Sequence, residues 1–161
     1  MRIITITVSD TRTEADDTSG KALREELAAF DPTFDLGRHV ILRDEPEHII
    51  ALVREADESN ADAVVLTGGT GITPRDRTYE ALTGVFDKTL DGFGEAFRHL
   101  SWDQIGPRAI LSRATSGVVG TTLVFSLPGS EKAVRLGVKE LIAPVLAHAV
   151  DLVNGRTKHG K

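Results

Sequence analysis

Ala63-Val64-Val65-Leu66-Thr67-Gly68-Gly69-Thr70-Gly71-Ile72-Thr73-Pro74-Arg75-Asp76 is the stretch whose reading decides the fold of this chain of 161 residues. Ala63 to Thr67 form a short, continuous apolar run of the kind found in strands buried on both faces. Three glycines follow the run directly, and a helix start is expected at the far end of the loop. Working upstream, Ile3 to Val8 is β-branched throughout and stops at the turn signal Ser9-Asp10. A polar loop then leads to Asp17, Thr18 or Ser19, any of which can cap a helix in which Ala22, Leu23, Leu27 and Phe30 recur at helical spacing. Asp31-Pro32 breaks the chain, Phe34 to Leu42 reads as a second strand ending at Arg43-Asp44, and Ile49, Leu52, Val53 and Ala56 mark one face of the next helix.

Downstream, helices are predicted around Arg77 to Leu82 and over Gly92 to Leu100, with a buried strand over Leu123 to Leu127. A long helix begins near Ser130, and Pro144 interrupts its apolar stripe between Val134 and Val153, which kinks it or splits it in two. Strands alternating with helices imply an α/β class with parallel pairing and right-handed crossovers. Residues 1–153 read as one domain without repeats or linkers, and residues 154–161 as a flexible C-terminal tail.

Composition removes several functions. With 19 Lys+Arg against 24 Asp+Glu, and no basic cluster before Arg156, Lys158 and Lys161, a nucleic-acid partner is not expected. The absence of cysteine excludes disulfides, thiolate metal sites and a cysteine nucleophile, and is compatible with a cytoplasmic location. No stretch approaches the ~20 apolar residues that cross a bilayer, and the first strand is too short for a signal sequence, so no membrane partner is expected. The histidines at 39, 48, 99, 148 and 159 show no metal-ligand spacing and are assigned surface or packing roles. No Gly-x-Ser-x-Gly elbow surrounds a serine. Trp102 and Phe93, with Phe97 and Leu100, fit core or a subunit interface better than a base-stacking platform.

In a parallel sheet ligands bind beyond the carboxyl ends of the strands, which singles out four segments: Ser9-Asp10, Arg43-Asp44, Thr67 to Asp76, and Pro128-Gly129-Ser130. The glycines at 68, 69 and 71 let backbone N–H groups approach an anion, and phosphate is the natural guest. The spacing is neither a Walker A motif nor a dinucleotide fingerprint, and a tight turn explains it equally well. Thr73-Pro74-Arg75-Asp76 also reads as a capping box, with Thr73 at the N-cap and Pro74 at the first helical position. Asp44 has the look of an N-cap with Glu47 three residues on. Two carboxylates at adjacent strand ends can instead hold Mg²⁺, which takes one or two protein carboxylates plus substrate phosphates. Arg75 either forks onto phosphate or sits solvated; Ser130 either caps the last helix or meets an anion; Asp10 either caps a turn or fixes a ligand.

Taken together, Thr7-Val8-Ser9-Asp10-Thr11, Asp16-Asp17-Thr18-Ser19-Gly20, Thr67 to Gly71 with Pro74-Arg75-Asp76, Gly92-Phe93-Gly94-Glu95, Leu111-Ser112-Arg113 and Pro128-Gly129-Ser130 form an ordered set that resembles the MogA/MoaB family of molybdenum cofactor biosynthesis proteins. The resemblance implies a three-layer α/β/α molybdopterin-binding fold with a mostly parallel central sheet. It implies a Mg²⁺-dependent adenylyltransferase that converts molybdopterin and ATP to adenylyl-molybdopterin and pyrophosphate. It places the family's two catalytic, metal-binding aspartates on Asp76 and Asp44, and the nucleotide and pterin-phosphate site on Ser9, Asp10, Gly68, Gly69, Thr70, Gly71, Arg75, Pro128, Gly129 and Ser130. A homotrimer, with a hexamer as the alternative, and hand-over of product to a molybdate-inserting protein belong to the same expectation. The set is nearest the MoaB branch, some of whose members lack the Pro-Arg-Asp segment; this chain keeps it, while Ser130 replaces the Asn or Gln common after Pro-Gly in the MogA branch. A non-catalytic molybdopterin carrier of the same fold is the alternative, and a CinA-like pyrophosphatase without that type's further domains is a third reading.

Overall fold

β-branched side chains favour extended backbone, and in the computed structural model, which describes residues 1–156, Arg2–Val8 form strand β1. Helix α1 (Thr18–Phe30), β2 (Asp35–Leu42), α2 (Pro46–Glu58), β3 (Ala63–Thr67) and α3 (Thr78–Thr83) follow. Next come the short β4 (Lys88–Thr89), α4 (Asp91–Ile105), a 3-10 turn over Gly106–Leu111, β5 (Thr115–Val119) and β6 (Thr122–Leu127). The chain closes with α5 (Glu131–Gly137), a π-helical segment (Val138–Ile142) and α6 (Ala143–Val153).

The strands form one six-stranded sheet in the order β2-β1-β3-β6-β5-β4. β2, β1, β3 and β6 run parallel, and β5 pairs antiparallel with both β6 and β4. Because successive strand residues face opposite sides, β3 feeds two cores. Ala63 and Val65 pack with Leu23, Leu27, Phe97, Val134 and Leu146 under α1, α4, α5 and α6. Val64 and Leu66 pack with Ile49, Leu52, Val53 and Leu82 under α2 and α3. The result is the three-layer, mostly parallel α/β architecture expected from the sequence.

The structure departs from the sequence reading at particular points. β4, the 3-10 turn and the antiparallel β5 were not anticipated, and α4 runs on past Leu100 to Ile105. The chain splits ahead of Pro144, which occupies the first turn of α6 where its missing N–H costs nothing, and the π segment absorbs the change. Asn154, Gly155 and Arg156 donate backbone N–H groups to carbonyls of the last helical turn, and the rest of the expected tail lies outside the described residues. No helix among the described residues is long and apolar enough to cross a membrane.

Asp17 is the cap of α1, accepting from Gly20 N at 2.9 Å and from Thr7 Oγ1 at 2.7 Å. His39, given a surface or packing role above, takes the packing one and ties β2 into this buried knot, with Nε2 2.8 Å from Asp17 Oδ2 and Nδ1 2.9 Å from Thr5 Oγ1. Burial pushes the Asp17 carboxyl up, but the Gly20 N–H, the Thr7 hydroxyl and His39 outweigh it and hold it below the ordinary carboxylate range.

Candidate functional site

β1 is paired with β2 on one side and β3 on the other, so the strand order reverses there and the loops leaving β1 and β3 diverge into a crevice. In-register pairing of Thr7 with Thr67 and of Thr67 with Leu127 ends the three central strands at one level. The loops after them meet: Gly68 N donates to Leu127 O at 2.9 Å and Thr67 Oγ1 to Pro128 O at 3.0 Å.

Glycine is required at the first two loop positions. Gly68 has φ +105°, and a Cβ there would overlap the carbonyl of Val8; Gly69 has φ +65°, and a Cβ there would overlap Thr78 Oγ1 and Asp44 Oδ2. Thr70 and Gly71 continue the loop, and Pro128-Gly129-Ser130 lies beside it, with Ser130 capping α5 by accepting from Ala133 N at 3.3 Å. Ser9 Oγ accepts from Thr11 N at 3.3 Å and Arg12 N at 3.2 Å, which curls the β1 loop over the same crevice.

The acidic residues stand differently from their local readings. Asp44 does not cap the helix that follows it: the N-cap position of α2 is Glu45, without a side-chain hydrogen bond. Its carboxylate reaches across the site and accepts from Arg77 N and Thr78 Oγ1, both at 3.1 Å, at the start of α3. The capping box at Thr73 is likewise corrected, because α3 begins at Thr78 and Pro74 stands in a turn rather than at a first helical position. Asp76 Oδ2 still reaches back, accepting from Thr73 N at 2.9 Å and Thr73 Oγ1 at 2.6 Å. Arg75 is not merely solvated: it forms an ion pair with Asp10 Oδ2, while Asp10 Oδ1 accepts from Asp44 N at 3.3 Å.

The crevice has two lobes. The first, of about 510 Å³, runs from the glycine loop and Pro128-Gly129-Ser130 across to Phe97, Ser101, Ile105, Arg108, Leu111 and Ser112 on α4 and the 3-10 turn, with Arg12 at its edge. The second, of about 450 Å³, is lined by Asp10, Asp44, Thr73, Arg75 and Asp76. Val8, Ser9, Gly69 and Asp76 belong to both, which makes Asp76 the one charged side chain common to the two lobes. The sequence reading missed Arg12, Ser101 and Arg108. Arg12 was legible only as part of the loop after β1, and Arg108 sits in the unanticipated 3-10 turn.

The Arg75 hydrogen bond, followed by the Asp44 N–H, holds the Asp10 carboxyl below its ordinary value. Asp44 moves the other way. Burial raises it first, the Asp76 and Asp10 carboxylates raise it further, and the Arg77 N–H and Thr78 hydroxyl only partly offset them. A carboxyl raised in this way destabilises the fold once ionised, so the cost is absent at low pH and grows as pH rises through the raised value. Asp44→Asn removes the charge and with it that cost. The expected result is that the stability of the wild-type fold falls as pH rises across a window lying above the ordinary 3.8, and that Asp44→Asn lacks that fall. Thermal unfolding of the two proteins at several pH values checks this; identical profiles would refute it.

Among the described residues no group of three or more His, Asp or Glu side chains forms a ready cage for a metal. Asp44 and Asp76 nonetheless suit a hard cation that keeps waters and borrows phosphate oxygens, because both offer carboxylate oxygen in the lobe where negative charge is undercompensated.

With this geometry in hand, comparison with known proteins is direct. A family model described as a probable molybdopterin binding domain matches residues 4–148. The chain belongs to the MogA/MoaB molybdopterin-binding family. Molybdenum cofactor biosynthesis protein B of Bacillus subtilis (strain 168) is 46 % identical over 156 residues, covering 93 % of this chain and 88 % of that protein. A crystal structure of a molybdenum cofactor biosynthesis protein B superposes with a TM-score of 0.91 at 42 % identity, covering 96 % of each chain. The tungsten cofactor synthesizing protein MoaB from Pyrococcus furiosus superposes with a TM-score of 0.80 at 41 % identity, covering 97 % of each chain. In this molybdopterin-binding family member most of the ordered motifs gather at one end of one sheet: Ser9, Gly69, Gly71, Asp76, Ser112 and Ser130 all face the first lobe, while Gly92-Phe93-Gly94-Glu95 opens α4 and lines neither lobe.

Proposed function

We propose that this protein acts in molybdenum cofactor biosynthesis as a molybdopterin adenylyltransferase, joining molybdopterin to the adenylyl group of ATP. The observation that carries the reading is the pair of lobes meeting at Asp76. The first lobe, with the apolar side chains of Phe97, Ile105 and Leu111, several hydroxyls and the guanidinium groups of Arg12 and Arg108, suits a planar heterocycle bearing a terminal phosphate. The second, acidic lobe suits a magnesium polyphosphate.

In the reaction an oxygen of the pterin's terminal phosphate forms a bond to the α-phosphorus of ATP, and the bond from that phosphorus to the pyrophosphate oxygen breaks. Asp76 and Asp44 would hold Mg²⁺, which would supply neutralisation of the two anionic reactants. The chain's own part is placement: the glycine loop turns backbone N–H groups toward phosphate, Ser9 and Ser130 line its path, and Arg75 exchanges Asp10 for phosphate oxygen when nucleotide enters. No protein nucleophile is needed. A homotrimer or hexamer, a cytoplasmic location and hand-over to a molybdate-inserting protein accompany this reading.

A non-catalytic molybdopterin carrier would use the same pocket. Incubating the purified protein with molybdopterin, ATP and Mg²⁺ separates the two. An adenylylated pterin by mass spectrometry, with stoichiometric pyrophosphate, is the expected result; tight pterin binding without pyrophosphate release would establish the carrier instead.

A further inference from the structure

The glycine loop holds itself only in part. Its second half is a closed turn in which Asp76 N donates to Thr73 O at 3.0 Å and Thr73 donates twice to Asp76 Oδ2. Those bonds fix Asp76 relative to Thr73, and Thr78 N, donating to Gly69 O at 3.2 Å, closes the base of the loop beyond it. Between these two ties one side chain reaches in from the outer face and contacts both arms of the loop. Arg113 Nη2 donates to the carbonyl of Asp76 at 3.0 Å, and its Nε makes a longer contact with the carbonyl of Thr70 at 3.4 Å. Its Nη1 pairs with Glu80 on α3, and the guanidinium lies 5.1 Å from the Tyr79 ring centroid.

We propose that Arg113 is a positioning residue for Asp76, bracing the glycine loop at Thr70 and Asp76 from its outer face. The guanidinium presents five donors in a fixed plane, so one group can serve two carbonyls and a carboxylate at once; an ammonium has neither the spread nor the planarity. Stacking on Tyr79 and 25 % exposure fix its orientation. The charge is already committed, as the lowered Glu80 carboxyl also shows. Arg113 lines neither lobe and meets only the hollow on the outer face of the loop, so it does not touch a ligand in the site. Its neighbours Leu111 and Ser112 do line the first lobe, and Arg98 Nη1 anchors the carbonyl of Ser112 at 3.3 Å. A ligand seated against Leu111 and Ser112 therefore presses on the segment that sets Asp76, which couples occupancy of one lobe to the carboxylate of the other.

The kinetic part of the test rests on the adenylyl-transfer reading; amide exchange does not. In Arg113→Lys the charge stays and the planar fork is lost. Hydrogen exchange of the amides from Gly71 to Arg77 is expected to rise about tenfold with the sheet unchanged, and the Mg²⁺ concentration for half-maximal turnover to rise about 10-fold with kcat reduced and KM for molybdopterin unchanged. Glu80→Gln should move the same quantities in the same direction by less. Unaltered loop exchange, or loss of protection spread through the whole sheet, would overturn the proposal. So would a raised KM for molybdopterin with intact kcat, which would make Arg113 a ligand contact. If the wild-type protein forms no adenylylated product, the functional reading falls, and exchange at residues 71–77 in the two variants still decides the role of Arg113.

Discussion

Asp76→Asn is expected to lower adenylyl transfer by about 10²–10³-fold, the range seen when one preorganised electrostatic partner of a transition state is removed. The substitution isolates charge. Asp76 Oδ2 is engaged by the N–H and hydroxyl of Thr73, whereas Oδ1 accepts no hydrogen bond among the described residues and remains available to a cation. An asparagine can keep its carbonyl oxygen on the Thr73 N–H, so the turn survives, while its amide hydrogens face the position where positive charge is needed. Molybdopterin affinity should stay within a few-fold, because the apolar side chains proposed to meet the pterin lie on α4 and the 3-10 turn. The thermal midpoint should move by no more than a loss of about 1 kcal/mol allows, the scale of a capping interaction. Turnover is measured across a Mg²⁺ titration with pterin binding measured beside it. A variant retaining a tenth or more of the activity would show that Asp76 serves the Thr73 turn alone, and the carrier reading would gain accordingly.

What the sequence discloses depends on whether the deciding partner is near in the chain. β3 is legible because burial on both faces leaves no polar position in Ala63 to Leu66, and α2 because Ile49, Leu52, Val53 and Ala56 all turn to one core. β5 is not legible. Thr115-Ser116-Gly117 carries no apolar signal, and the Oγ atoms of Ser116 and Ser126 are buried without a hydrogen-bond partner among the described residues. That segment is a strand because β6 and β4 flank it, which is a property of the assembled sheet.

The candidate site divides the same way. Ser130 and Asp17 cap the helices that follow them; local spacing offers both, Asp17 as one of three candidates with Thr18 and Ser19. Asp44 has the same local look, yet the amide it accepts from belongs to Arg77, on another loop. A capping pattern therefore identifies a carboxylate that wants N–H donors, and only the fold decides whose. The ordered motifs carry more than any of their parts because most of them mark loops that the sheet brings to one edge. Arg12 and Arg108 carry no spacing signal at all; a loop after β1 and an irregular turn after α4 place them.

Gly68→Ala tests whether that convergence is as tight as the geometry requires, and a loss of about 2–6 kcal/mol of stability is expected. Two causes add. A side chain at φ +105° sits outside the regions open to L-residues, at a cost of roughly 1–3 kcal/mol. The new Cβ would also overlap the carbonyl of Val8, at about 1–3 kcal/mol for a forced overpacking. The obstacle is backbone at the end of the central β1, held by β2 and β3 on either side, so no rotamer change relieves it. Gly129 adds to the confinement, since a Cβ on it would already lie 3.3 Å from Gly68 Cα. At about 2–4 °C per kcal/mol for a chain of this size, the thermal midpoint should fall by roughly 4–24 °C. The folded fraction should bind ATP poorly, because the first peptide of the glycine loop can move only by drawing Gly69 away from Asp44 and Thr78. Gly92→Ala is the matched control: a Cβ there meets nothing within 4 Å, the position is helical, and stability should rise by up to about 1 kcal/mol. If Gly68→Ala melts with the wild type while binding nucleotide normally, β1 and β3 do not hold the loop as closely as drawn, and the anion cradle that depends on their approach loses its basis.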